Sequence, residues 1–337
     1  MIQTAIARLA QKKNLSLEET REAMQEIMSG SATPSQMGAY LTALALKGET
    51  EVEIFGSASV IRENALPVPH HQKKIVDCCG TGGDGAFTFN VSTIVAFVLA
   101  AAGLPVAKHG NRSVSSKCGS ADLLQAAGVK IELSPAQVAR CIDEIGIGFV
   151  FAPLFHPAMK NVAPVRKELG IRTIFNLIGP LVNPAGATHQ LIGVFDQALT
   201  ESVAEVCSRL GIGRSWVVHS FSKMDELTTT EINKISHHHN GTPESFYLDP
   251  AELGFRKANK QELSGGDAQE NLRIALSILS GEKGVPRDTV VLNSAAALVV
   301  AEEVADLREG VGLAEEMIDS GQALQKFEQL KEFSSRC

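Results

Sequence analysis

The sequence has no pair of cysteines at CxxC spacing and no dense cysteine framework. Its six Cys, at positions 78, 79, 118, 141, 207 and 337, fit free thiols in a reducing compartment better than a disulfide scaffold. No long hydrophobic run is present either. The longest, Ile94 to Ala102, is too short to span a bilayer. The first residues, MIQTAIARLAQKKN, have no extended apolar stretch and no small-residue cleavage site, so no signal peptide is expected and the location expected is cytoplasmic. Positive charge is not in excess: 31 Lys and Arg against 38 Asp and Glu give a net charge of -7. Nonspecific nucleic-acid binding needs a basic face, so nucleic acid is not an expected partner. Internal repeats and low-complexity tracts are also absent.

One local absence stands against the overall balance. From Gly85 to Ala121 there is no acidic residue, while Lys108, Arg112 and Lys117 all fall inside. Two glycine- and hydroxyl-rich loops, GTGGDG (80–85) and KHGNRSVSSKCGS (108–120), flank one apolar helical run there. Backbone N–H groups, hydroxyls and a few cations are what a polyphosphate needs, so the stretch is read as a phosphate cradle.

What is present otherwise belongs to an ordinary globular chain: 337 residues, 44% hydrophobic and 20% charged, enough for one large domain and a smaller one. The first sixty-odd residues carry three helix starts. Ser16 with Glu19, Thr33 with Gln36 and Thr50 with Glu53 have capping-box spacing, Pro34 stands at a first helical position, and Gly30 and Gly48 are stops. Met37, Tyr40, Leu41 and Leu44 make a stripe that would be buried. The segment 65–72 reads as a linker. Beyond it, apolar strand-like runs at 73–79, 104–110, 147–152, 189–195, 215–220 and 289–293 alternate with helical stretches. That alternation predicts an α/β domain with a largely parallel sheet, in which ligands collect beyond the carboxyl ends of the strands.

The motifs admit more than one chemistry. GTGGDG fits G-x-G-x-x-G after a strand, but no acid follows at about 20 residues to hold a ribose, as a dinucleotide-binding fold requires. A P-loop is excluded because the GK[ST] ending is missing. A purely structural glycine turn is the alternative; Thr88, Asn90, Ser92 and Thr93 at the mouth of the next helix favour a ligand. In the second loop Lys108 and Arg112 offer charge, Asn111 an amide, and Ser113, Ser115, Ser116 and Ser120 hydroxyls. Gly110 and Gly119 would let the backbone approach a ligand closely. His109 is either a general base or a packed, ligand-stacking ring. Asp225-Glu226 after the strand at 215–220 could share a hard divalent cation, or be solvated surface charge. His156, Lys160, Arg166, Lys167 and Arg172 lie near one another in sequence. Arg166, just after Pro164, would sit on a rigid helix where a guanidinium suits a planar carboxylate. His237-His238-His239 before Asn240-Gly241 reads as a hairpin turn rather than a metal site, and Cys78-Cys79 as small buried residues.

Taken together, GTGGDG, NVST, KHGNRSVSS, HPAMKNVAPVR, GPLVNPA, the Asp225-Glu226 pair and GGDAQEN resemble the anthranilate phosphoribosyltransferase family. That family is the tryptophan-pathway branch of the nucleoside phosphorylase-like phosphoribosyltransferases, and the likeness runs over nearly the whole chain. It implies a homodimer in which residues 1–70, with helices near 160–185, form a small helical domain. Residues 71–337 would form a large α/β domain with a mainly parallel sheet. It also implies transfer of the phosphoribosyl group of 5-phosphoribosyl 1-diphosphate to the amine of anthranilate, with Mg²⁺. Since an aromatic amine held close to a strongly electrophilic centre can attack it, no dedicated catalytic base is expected.

By the same resemblance Gly80, Gly83, Asp84, Thr88, Asn90, Val91, Ser92 and Thr93 would bind 5-phosphoribosyl 1-diphosphate. Lys108, His109, Gly110, Asn111, Arg112, Ser113, Val114, Ser115, Ser116 and Ser120 would join them from the second loop. Ser92, Asp225 and Glu226 would hold the Mg²⁺. Asn111 and Arg166 would bind anthranilate, with His109 and Pro180 shaping its pocket. The sequence departs from the family pattern at Phe155, at Glu231-Ile232-Asn233 and at Cys78-Cys79. A pyrimidine nucleoside phosphorylase, a noncatalytic nucleic-acid-binding relative and an NAD-dependent dehydrogenase are the competing classes. The first has a different phosphate loop, the second would need a basic stripe, and the third lacks its ribose acid.

Overall fold

The computed structural model describes all residues but 114–116 and 240–241, and of His239 only the backbone. The chain begins with four helices, α1 (Ile2–Ala10), α2 (Leu17–Ser29), α3 (Pro34–Lys47) and α4 (Glu51–Glu63). All three capping boxes expected from the sequence form, and Gly30 closes α2 in the left-handed conformation. Tyr40, Leu41 and Leu44 are fully buried, as their spacing requires.

Strand β1 (Val76–Gly80) opens the α/β part, followed by α5 (Val91–Ala101), β2 (Val106–Gly110), α6 (Ser120–Ala126), α7 (Pro135–Ile145) and β3 (Ile147–Phe151). Three short helices come next: α8 (Ala152–Phe155), α9 (Ala163–Leu169) and α10 (Ile174–Leu177), with 3-10 turns at Pro157–Asn161 and Gly179–Val182. Then come β4 (His189–Gly193), α11 (Leu199–Arg209), β5 (Arg214–Ser220), β6 (Asn233–His239) and β7 (Thr242–Leu248). The chain ends with α12 (Ala268–Leu279), α13 (Val285–Val300), α14 (Leu307–Asp319) and α15 (Gln322–Arg336).

The strands make one sheet in the order β3-β2-β1-β4-β5-β6-β7. The first five are parallel, and β6 and β7 add an antiparallel hairpin at the edge. Side chains alternate between two cores, as the strand period demands. Leu191 and Val218 face α5 and α13; their neighbours Ile192 and Val217 face α11 and the helical layer. Val162, Val165, Phe175 and Leu181 join the core that Tyr40 and Leu44 build. The order reverses between β1 and β4, which puts a crevice above their carboxyl ends, where α/β sheets receive ligands.

Two sequence expectations fail. Residues 289–293 are not a strand but the middle of α13, whose apolar run continues to Val300. This helix is buried against α5, α14 and the sheet on nearly every side, its small polar residues Thr289, Asn293 and Ser294 included, so it has no exposed polar face to show a helical period. Conversely β6 and β7 escaped notice, because an edge hairpin needs few apolar residues. Its two strands pair through to His239 and Thr242, so the histidine run lies on a strand beside the turn; Asn240 and Gly241 themselves fall outside the described residues.

Candidate active site

A cleft of about 570 Å³ opens above the switch point between β1 and β4. Its floor begins with the glycine loop. Gly82, Gly83 and Gly85 all take left-handed φ values, of 66°, 72° and 73°, so the chain can turn tightly without a Cβ penalty. Gly80 answers a different need. A Cβ there would collide with Asp225 Oδ2, and one on Gly193 would collide with the Asp225 backbone. The two glycines open the slot in which Asp225 lies.

Three carboxylates meet at that slot. Asp225 Oδ2 accepts the Gly82 N–H at 2.6 Å, and Asp84 Oδ2 accepts the Asp225 N–H at 3.4 Å. Burial, and then the Asp84 charge, push the Asp225 carboxyl up to about 7. Burial followed by Asp225 and Asp84 raises Glu226 well above the usual carboxylate range, against the pull of the Ser92 backbone and Lys108. Such a set is stable in its charged form only beside a cation. Among the described residues no cluster of three or more His, Cys, Asp or Glu has the geometry of a complete metal site. The crowded carboxylates, with the Ser92 hydroxyl lining the same cleft, fit Mg²⁺, which takes one or two carboxylates and fills its other positions with water and substrate phosphate oxygens.

The mouth of α5 faces these acids. Asn90 precedes the helix, and its Nδ2 donates to Cys118 O at 3.2 Å, tying the first loop to the second. Asn90 Oδ1 and Thr93 Oγ1 are buried without a partner. Thr88, Asn90, Ser92 and Thr93 line the cleft with Gly80, Gly83 and Asp84. Val91 does not; it is buried under them in the core.

Strand β2 delivers Lys108 and His109, both almost fully buried. Lys108 Nζ donates to His109 O at 3.0 Å. His109 Nε2 lies 3.3 Å from His156 Nε2, and burial, then the charges of His156 and Lys108, push its imidazole down to about 3. Burial alone brings His156 to about 4. Both rings are neutral near pH 7. His156 and Lys160 line the cleft, while Lys167 and Arg172 do not.

Gly110, Asn111, Arg112, Ser113 and Ser120 also line it; Val114, Ser115 and Ser116 lie outside the described residues. Two features of this loop go beyond the sequence reading. Arg112 pairs with Asp122 at 3.1 Å and lies over the Phe151 ring as well as lining the cleft. Gly110 and Gly119, which also line the cleft, let the loop approach itself. A Cβ on Gly110 would strike Ser120 Oγ, and one on Gly119 the backbone of Asn111, Arg112 and Ser113. Asp122, just past the acid-free stretch, organises the loop by accepting the N–H groups of Ser113 and Gly119 at 3.0 and 2.9 Å.

At the far end α9 carries Arg166, whose guanidinium lies 5.2 Å from the Phe175 ring centre and has no carboxylate partner among the described residues. Burial lowers its pKa, the mark of a cation held away from water. Pro180 stands on the 3-10 turn nearby, its carbonyl accepting Gln190 Nε2 at 2.9 Å.

Asp77 was missed in the sequence. This fully buried carboxylate accepts His109 N–H at 3.2 Å, Asn183 Nδ2 at 2.9 Å and Gln190 Nε2 at 3.4 Å, joining β2 to Asn183 just past the turn that carries Pro180 and to Gln190 on β4. The available signal was a lone acid inside an apolar strand, since carboxylates are rarely buried without partners.

Comparison with known proteins gives a consistent result. The model of a glycosyl transferase family, α/β domain, matches residues 72–324, and that of its helical bundle domain matches 3–65. The anthranilate phosphoribosyltransferase of Acetivibrio thermocellus is 53% identical over 335 residues, 99% of this chain and 97% of the relative. That of Methanocorpusculum labreanum is 53% identical over 98% of this chain and 97% of its own length. Among solved structures, the anthranilate phosphoribosyltransferase of Thermus thermophilus superposes with a TM-score of 0.93 at 43% identity, covering 98% of this chain and 99% of the other. The Saccharomyces cerevisiae enzyme in complex with PRPP and Mg gives 0.91 at 26% identity, covering 100% and 98%.

Proposed function

This chain belongs to the anthranilate phosphoribosyltransferase family, and from that membership we infer how its cleft works. The enzyme transfers the phosphoribosyl group of 5-phosphoribosyl 1-diphosphate (PRPP) to the amine of anthranilate, giving N-(5-phosphoribosyl)anthranilate and diphosphate in tryptophan biosynthesis. Mg²⁺ is its cofactor. The observation that carries the assignment of roles is the polarity of the cleft. Three crowded carboxylates and a buried ammonium line it from β2 and the loops after β1 and β5, while α9 brings to it a partly buried guanidinium, stacked on Phe175, that has no carboxylate partner among the described residues.

Breaking the ribose C1–oxygen bond gives the sugar oxocarbenium character and puts negative charge on the departing diphosphate. Asp225, Glu226 and Ser92 would hold the Mg²⁺, which supplies electrostatic stabilisation of that leaving group. Lys108 and the N–H groups and hydroxyls of Asn90 to Thr93 act on the same charge and are already in place before the bond breaks. Asp84, which would repel a bare anion, belongs with the metal. At the opposite end Arg166 receives the anthranilate carboxylate, Asn111 turns its amide toward the acceptor, and His109 and Pro180 form the wall. A weakly basic aromatic amine attacks a strongly electrophilic carbon once it is held near it.

No side chain is assigned as a base. His109 Nε2 is engaged with His156, and the carbonyl of Gly179 holds the ring as well, so no lone pair is reserved for the amine. We further read residues 1–70, with the helices near 160–185, as a small helical domain that pairs two copies into a homodimer; Leu46, 81% exposed on α3, supports this. A cytoplasmic location is in keeping with six free cysteines.

The decisive assay follows the loss of anthranilate fluorescence with PRPP and Mg²⁺. Consumption of anthranilate that stops on adding a chelator is the expected outcome. Phosphorolysis of uridine or thymidine with no anthranilate consumed would overturn the reading.

A further inference from the structure

The segment Gly265 to Asn271, GGDAQEN, is part of the family resemblance, yet it does not line the cleft and takes no part in the reaction as derived. It lies directly behind the glycine loop. Gly265 N–H donates to Phe87 O at 2.9 Å, Phe89 N–H donates to Leu263 O at 3.2 Å, and Thr88 and Ser264 form an antiparallel bridge between them. Gly265 is required for this contact. A Cβ there would sit 2.8 Å from Phe89 N, Phe89 Cα and Thr88 O, all backbone atoms that cannot swing aside. The strap also holds a strained residue. Phe87 has φ of 54°, a left-handed conformation that a bulky side chain disfavours, and it is the Phe87 carbonyl that Gly265 captures.

Asn271, buried on the first turn of α12, completes the strap. Its Oδ1 accepts the Asn90 N–H at 3.3 Å, and its Nδ2 donates to Gly266 O at 2.8 Å and Asp267 O at 2.9 Å. Asn90 passes the constraint on, through Nδ2 to Cys118 O in the second loop, while its buried Oδ1 has no partner among the described residues. One amide thus sets the residue at which the two phosphate loops meet.

We propose that Gly265 and Asn271 are positioning residues for PRPP: the strap holds residues 87–90 so that Asn90, Ser92 and Thr93 engage the ligand together with the second loop. This rests on the reading of the cleft given above. Neither residue touches substrate, so the effect is on geometry, and a displacement of about 1 Å in such a shell costs on the order of 100-fold.

The test uses the full-length enzyme with Mg²⁺. Asn271→Ala and Gly265→Ala are each expected to raise KM for PRPP at least about tenfold while KM for anthranilate changes less than about threefold. A variant that merely loosened the fold would move both constants together. Should either variant fail to fold, hydrogen exchange of the wild-type enzyme decides. Adding PRPP and Mg²⁺ is expected to slow exchange at the Gly265 and Phe89 amides, which donate within the strap. Folded variants with wild-type KM for PRPP, or strap amides indifferent to PRPP in an active enzyme, would overturn the strap alone. A wild-type enzyme inactive on anthranilate would overturn both this and the reaction it rests on.

Discussion

Arg166 offers the sharpest separation of the two substrates. Its guanidinium is partly buried, stacked on Phe175 and without a carboxylate partner among the described residues, so the free enzyme already bears part of the cost of desolvating it. An anthranilate carboxylate arriving there gains a charge-assisted contact whose geometry Phe175 has arranged. Hydrogen bonds to charged groups contribute about 1.5–3 kcal/mol, which converts to roughly 10- to 150-fold in an equilibrium constant. Arg166→Ala is therefore expected to raise KM for anthranilate by about that factor and leave KM for PRPP within about twofold. Arg166→Lys keeps the charge but loses the planar fork and the stacking, so it should recover only part of the loss. Stability supplies an independent check. Removing a partly desolvated charge with no ion-pair partner among the described residues relieves a cost, so the Arg166→Ala melting temperature should not fall by more than loss of the Phe175 contact explains. Initial rates measured over a grid of both substrates give both constants. A rise in KM for PRPP equal to that for anthranilate, or no rise in the latter, would refute the assignment.

Other outcomes follow from the same geometry. Asp225→Ala should raise the Mg²⁺ concentration needed for half-maximal rate by at least about tenfold, the scale found even for groups that only orient a ligand; unchanged Mg²⁺ dependence would remove Asp225 from the metal site. His109→Asn should lower kcat by less than about tenfold, because no proton transfer is assigned to it, and a loss of several orders of magnitude with binding intact would argue for a base. The depressed imidazoles of His109 and His156 have a definite linkage sign. Folded values of about 3 and about 4 mean that the unfolded chain binds more protons below its own value of roughly 6.5. Their contribution is thus lost as pH falls from about 6.5 toward 4, and His156→Asn should flatten that part of a Tm-against-pH curve measured with Mg²⁺ present. In the helical layer, fully buried Glu53 accepts the Leu15 and Thr50 N–H groups and Lys47 Nζ at 2.8–2.9 Å. Glu53→Ala strands a buried ammonium and should cost about 3–5 kcal/mol in chemical denaturation.

The helical starts, the alternation of the α/β part and both glycine-rich loops that line the cleft were legible in the sequence, because each depends on local chemistry. A capping box needs only residues three apart, and a glycine loop announces its own backbone conformation. By the same logic α13 was misread and β6 and β7 were overlooked. A helix buried on all sides has no polar face to reveal its period, and an edge hairpin has too little apolar surface to announce itself.

The chemistry of the site divides along the same line. Residue types in sequence were enough to mark the two loops, with their cations and hydroxyls, and a separate pair of acids, all of which line the one cleft. That Asp225 would come to lie against Gly80 and Gly193, and share its charge problem with Asp84, depends on strands far apart in the chain becoming neighbours in the sheet. Tertiary structure alone decided that Arg112 is paired while Arg166 has no carboxylate partner among the described residues, and that the imidazoles of His109 and His156 are neutral. Desolvation and Coulomb interaction act between residues brought together by folding, across separations in sequence that no local pattern records.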